Sequence, residues 1–243
     1  MALNVTQSLT GGLRRTATKN GLLLIVAYAV LGSVWQVVFS SLFVRWMSTT
    51  FPELPNAGGG LLTIDAPMSL LAIAAIVLLL TLNYLTIVAI RVFVGGYSQS
   101  LPREVLTRNV PLAIANTLVG GIVFSLLMLI GSILLFIPGI IAYLAFVFMT
   151  VFIAVEDENF VAAFRDSWRL TRGNWIRLFL LFTGSFVGMV ALSLIVTFGS
   201  TVIGSTAVST LVTTVVYLPL SMFLLGILAE AFLQLQNERR SEQ

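Results

Sequence analysis

Residues 137–175 read IPGIIAYLAFVFMTVFIAVEDENFVAAFRDSWRLTRGNW, and this stretch decides the fold class. The uncharged run Ile140 to Val155 ends on Glu156-Asp157-Glu158-Asn159, and a basic amphipathic segment follows before the next apolar run. Such a run needs either a large protein interior or lipid around it. Composition selects lipid: 58% of the 243 residues are hydrophobic and 9% charged, with a mean hydropathy of +1.03. Soluble domains carry roughly a quarter charged residues.

Outward from this stretch, apolar runs predict six spans at about 21–44, 68–94, 112–136, 140–155, 176–198 and 207–235. The expected fold is an all-α, polytopic membrane bundle, with residues 1–243 as a single membrane domain. The first run is too long for a signal-peptide core and lacks a small-x-small cleavage site, so it is expected to remain as a span. Pro52, Pro55 and Gly58-Gly59-Gly60 make Arg45 to Ala66 a long loop, and Asp65 and Pro67 read as the cap and first turn of the second span. Ile137-Pro138-Gly139 predicts a type II turn, with Gly139 at positive φ, between the third and fourth spans. Pro219 predicts a kink in the sixth.

In the segment from about 159 to 173, Phe160, Phe164, Trp168 and Trp175 recur at helical spacing, while Arg165, Asp166, Arg169 and Arg172 face elsewhere. That is the pattern of an interfacial amphipathic helix lying in the headgroup layer, its N-terminus favoured by the acids before it. An even number of spans puts both termini on one side. Every Lys and Arg except Arg45 falls on that side, so the positive-inside rule predicts cytoplasmic termini and the cytoplasmic membrane as location.

Thr18-Lys19-Asn20, Thr107-Arg108-Asn109 and Thr171-Arg172-Gly173-Asn174 each precede a pair of spans. They suggest three helix-plus-hairpin repeats, or equally the end signals that any helix entering a membrane collects.

Without cysteine or histidine, thiol, disulfide and histidine-based metal or acid–base chemistry are excluded. No phosphate-binding loop, nucleophile elbow or dinucleotide fingerprint occurs, so no enzyme, catalytic residue, cofactor or metal is expected. Glu156-Asp157-Glu158 has the oxygens for a hard cation, though helix capping explains it without one. Asn83 and Asn116, inside spans, are expected to tie helices together or to contact a ligand. Thr210, Thr214, Tyr217 and Ser221 form a polar stripe beside Pro219 that suits either a solute path or ordinary helix packing. Gly184-x-x-x-Gly188 is a close-packing signal, and Glu230 is the one carboxylate inside a predicted span.

The order Ile137-Pro138-Gly139, short span, acids, then Ala163-Phe164-Arg165-x-Ser167-Trp168-x-Leu170-Thr171-Arg172-Gly173-Asn174-Trp175 resembles an uncharacterised family of archaeal six-span membrane proteins. That family is similar to the membrane domain attached to some bacterial glycerophosphodiester phosphodiesterases. The resemblance implies a six-helix fold in the cell envelope and brings no catalytic residues, because the phosphodiesterase chemistry belongs to a separate soluble domain. The expected function is a non-enzymatic lipid- or partner-binding scaffold, with Arg165, Arg169, Arg172, Trp168 and Trp175 seating the surface helix. The alternative is a transporter or channel for lipid or a small neutral solute. Membrane lipids, and a protein partner or second copy, are the expected partners; nucleic acid is not.

Overall fold

The computed structural model describes residues 3–53, 61–134, 136–201 and 206–241, with side chains omitted at 134, 136, 137, 197, 200, 201 and 206–219. Ten helices and no strand occur among the described residues: α1 (Val5–Thr16), α2 (Lys19–Thr50), α3 (Met68–Gly95), α4 (Arg103–Thr107), α5 (Val110–Leu134), α6 (Phe136–Phe146), α7 (Met149–Glu156), α8 (Phe160–Thr171), α9 (Trp175–Thr201) and α10 (Thr206–Ser241). Among the described residues six segments are long and apolar enough to cross a membrane: Lys19–Thr50, Met68–Gly95, Val110–Ile133, Pro138–Glu156, Trp175–Val196 and Leu220–Ser241.

The chain divides into two compact units. One comprises Met1–Leu24, Asn83–Gly188 and Ser221–Gln243, the other Ile25–Leu82 and Met189–Leu220. In the second unit α2 runs past the apolar segment to Thr50, where Ser48 and Thr49 return their hydroxyls to the Arg45 carbonyl. Ser40 Oγ donates to the Leu62 carbonyl at 2.6 Å, and Ser41 Oγ accepts from the Ile64 amide at 2.9 Å, pinning the returning chain to α2. Asp65 pairs with Arg45 at 2.9 Å, while the Pro67 carbonyl accepts the first bond of α3 from Leu71. Pro55 and the glycine triplet lie outside the described residues.

The first unit is built around α7, in which Val151, Ile153 and Ala154 are fully buried. Phe148 and Phe152 meet Phe232 of α10 with ring centroids 5.8 and 5.2 Å apart. The fourth span is broken: α6 ends at Phe146, Val147 and Phe148 form a turn, and α7 resumes at Met149. The expected turn at Pro138-Gly139 is not there. Both residues are helical, and among the described residues positive-φ glycines are Gly96 and Gly173. Proline fits the first turn of a helix because the N–H it lacks has no partner there anyway. Gly139 serves close packing instead: a Cβ on Gly131 of α5 would lie 2.9 Å from its Cα.

The N-terminal segment is an amphipathic helix capped by Asn4, whose side chain accepts from the Gln7 amide at 3.0 Å. Its buried residues are Ser8, Gly12 and Thr16, one face at a spacing of four. A Cβ on Gly12 would sit 2.7 Å from the Ile227 backbone nitrogen, and one on Gly226 would sit 2.8 Å from the Gly12 carbonyl oxygen. Two glycines thus let α1 lie directly on α10. Gly12→Leu should lift α1 off and accelerate tryptic cleavage at Arg14 and Arg15 by about tenfold, since cleavage follows the population of the undocked helix. Unchanged cleavage kinetics would argue against this crossing.

Candidate functional site

Backbone inside a membrane span must find its hydrogen bonds within the protein. At the Val147–Phe148 break α8 supplies them. Ser167 Oγ accepts from the Phe148 amide at 3.2 Å and donates to the Ala145 carbonyl at 2.9 Å, and Thr171 Oγ1 lies 3.3 Å from the same carbonyl. Ala163, Ser167, Leu170 and Thr171 are the buried face of α8, and none is more than 3% exposed. The helix expected to float is therefore docked along one face. Phe164 and Trp168 lie to the side of it, ring to ring with Phe146 at 4.8 and 5.7 Å, and Trp175 continues the row 5.4 Å from Trp168.

The acidic turn before α8 is divided among three partners. Glu156 Oε1 accepts from Gln236 of α10 at 2.7 Å. Asp157, in the left-handed region at φ 56°, ends α7 and faces Arg91 at 3.4 Å and Arg108 at 2.9 Å, the latter an ion pair too skewed for a hydrogen bond. The same arginines cap α7: Arg91 Nε donates to the Ala154 carbonyl and Arg108 Nη2 to the Val155 carbonyl, both at 2.6 Å. Arg91 also donates to the Val105 carbonyl at 3.2 Å, which helps satisfy a side chain only 4% exposed. The acids do not cap α8; Asn159 does, accepting from the Ala162 amide at 3.0 Å. Among the described residues no group of three acids is placed to hold a metal ion.

Asn83 and Asn116 are both engaged. Thr117 donates to Asn83 Oδ1 at 2.7 Å, joining α5 to α3. Asn116 Oδ1 accepts from the Phe160 amide at 3.1 Å, so a span residue holds the first turn of α8. The side chains of Thr210, Thr214, Tyr217 and Pro219 lie outside the described residues. Ser221 is a half-buried residue of α10.

The expected arginine set separates. Arg165 and Arg169 flank Asp166 at 3.5 and 3.4 Å on the exposed side of α8. Arg172 instead lines a groove of about 740 Å³ with Asn174, Trp175, Arg177, Glu238 and Arg239, where Gly173 at φ 92° turns the chain from α8 into α9. No ion pair involves Arg172, Arg177 or Arg239 among the described residues. Arg177 and Arg239 were not singled out by the sequence. They fall on two helices 62 residues apart in number, 239 against 177, and no local pattern joins them.

A family model for a domain of unknown function, DUF7847, matches residues 3–235. The chain belongs to this family. No curated protein matches it, and no solved structure does. Together with six membrane-length apolar helices, membership describes a multi-pass membrane protein of unknown function.

In this family member one carboxyl at the α7–α8 junction is shifted. Burial first, then the hydrogen-bonded Asp166 carboxylate and Glu156, push the Glu158 carboxyl up to about 7, against an opposing pull from Arg165. A carboxyl raised on folding stabilises in its protonated form. Its contribution is full below its ordinary value of 4.5 and is lost as pH rises through about 7. Hydrogen exchange of α8 amides, corrected for intrinsic pH dependence, should therefore accelerate across that interval, and Glu158→Gln should flatten the trend. A variant with the wild-type pH profile would assign the titration elsewhere. Ser167→Ala should destabilise the protein by about 1–3 kcal/mol in reversible unfolding, because the buried Phe148 amide loses its side-chain acceptor and the Ala145 carbonyl keeps only the longer contact with Thr171 Oγ1. A change below a few tenths would remove Ser167 from that role.

Proposed function

We propose that this protein is a non-enzymatic component of the cytoplasmic membrane that binds anionic lipid headgroups in the groove between the α8–α9 turn and the end of α10. The observation that carries the reading is the convergence of Arg172, Arg177 and Arg239, without ion pairs among the described residues, beside the Trp175 ring. Guanidinium groups match the geometry of phosphate oxygens, and tryptophan favours the depth at which headgroups lie. Immediately along α9, Ile176, Phe179 and Leu180 are 77, 39 and 56% exposed, an apolar surface for the acyl chains of the same lipid. The distribution of basic residues supports placing this end of the chain, with both termini, on the cytoplasmic side. The resemblance to an archaeal family, and through it to membrane domains fused to phosphodiesterases, supports an envelope setting. Asn83 and Asn116 are spent on the protein's own hydroxyl and amide groups, which weighs against transport along those side chains.

Arginines near an anionic leaflet contribute about 1 kcal/mol each, so Arg172→Gln/Arg177→Gln/Arg239→Gln should cut anionic-lipid retention by roughly a hundredfold. Native mass spectrometry of protein extracted from mixed phosphatidylglycerol and phosphatidylcholine nanodiscs reads this directly. Neutral-lipid retention should be unaffected. Equal phosphatidylglycerol retention by the triple variant and the wild type would overturn the proposal.

A further inference from the structure

A second cavity, of about 590 Å³, lies between α1, the end of α3 with the turn after it, and α10. Arg14, Arg15, Gln7, Tyr97, Ser98 and Glu230 supply its polar wall. Arg15 is held rigidly: Nε lies 2.7 Å from Glu230 Oε2, and Nη1 donates to the Phe93 carbonyl at 2.5 Å. The other groups are not spent. No ion pair involves Arg14, and no hydrogen bond involves Arg15 Nη2 or the side chains of Gln7, Tyr97 and Ser98, among the described residues.

Two glycines lie along its wall. A Cβ on Gly11 would lie 2.7 Å from Glu230 Cδ, so glycine there allows the carboxylate to reach Arg15. Gly96, at φ 68°, turns the chain at the opposite wall, where a Cβ would be directed towards Arg15 Nη1 at 4.0 Å. The pairing of Glu230 with Arg15 leaves the second arginine, Arg14, as the uncompensated charge of the cavity.

We infer that this cavity binds a phosphate ester with a hydroxyl-bearing body. The phosphate lies between Arg14 and the open edge of Arg15, and the hydroxyls meet Gln7, Tyr97, Ser98 and the free edge of Glu230. A phosphate ester carries three terminal oxygens and up to two negative charges, so it can meet both guanidiniums and still offer an oxygen to a third donor. The volume suits a small ligand and leaves room beyond the anion. Such chemistry is found both in free sugar phosphates and in the headgroup of phosphatidylinositol. The site shares no residue with the Arg172 groove, so it stands independently of the lipid reading.

The test uses full-length protein with two probes: glucose 6-phosphate by calorimetry in neutral detergent, and phosphatidylinositol by native mass spectrometry from phosphatidylcholine nanodiscs. Arg14→Gln alters an exposed side chain and should leave the fold intact while weakening binding by about tenfold. Loss of glucose 6-phosphate binding in that variant supports a soluble source; loss confined to phosphatidylinositol supports a lipid source. Methyl phosphate, which lacks the hydroxyl-bearing body, should bind about tenfold more weakly than glucose 6-phosphate. The triple variant at Arg172, Arg177 and Arg239 should bind glucose 6-phosphate as the wild type does, which separates the two sites. The inference is overturned if neither probe binds, if Arg14→Gln leaves both unchanged, or if methyl phosphate binds as tightly as the sugar phosphate.

Discussion

A polypeptide that stops being helical inside a membrane exposes amide and carbonyl groups to a medium that cannot satisfy them. The turn at Val147–Phe148 creates this problem, and the docking of α8 answers it. One serine supplies both an acceptor for the Phe148 amide and a donor to the Ala145 carbonyl, and it is completely enclosed. Because Ser167 has to reach that turn, the rest of α8 has little freedom. Ala163 and Leu170 go inward with it, Arg169 and Arg172 are left exposed, and the α8–α9 turn falls beside the end of α10.

The far end of the same broken span is closed by charge. Arg91 and Arg108 take up the last carbonyls of α7 and share Asp157, whose left-handed conformation turns the chain back towards α8. A buried arginine with one partner would be costly, but Arg91 has two carbonyls and a carboxylate. Asn116 then fixes the first turn of α8 from the side of α5. The basic groove is in this sense a consequence of how a break in the fourth span is repaired.

Much of this architecture was legible in the sequence. Lipid demands about twenty apolar residues per span, so hydropathy alone gave the number of helices long and apolar enough to cross a membrane among the described residues. It could not locate the break, because Phe146, Val147 and Phe148 are as apolar as their neighbours and no glycine or proline marks it. Pro138-Gly139 misled for the converse reason: the pair favours a turn, yet proline is equally at home in a first helical turn. The amphipathicity of α8 was visible, but its large aromatic side chains drew attention from Ala163, Ser167 and Thr171, the small residues that pack closest. Asp157 and Arg91 are 66 residues apart, and a local reading therefore assigned the carboxylate to the nearest helix. No local sequence signal pairs Gly12 with Gly226, which faces it from α10.

The absence of cysteine from the chain permits the most direct test of whether α8 is docked or lies free. Ala163→Cys and Arg165→Cys place a thiol on the buried and the exposed side of one helix, 0% and 61% exposed in the native residues. Labelling in native membranes with an impermeant maleimide compares them. A docked α8 predicts rapid reaction at position 165 and protection at 163. Equal labelling at both positions would contradict it and return α8 to the membrane surface.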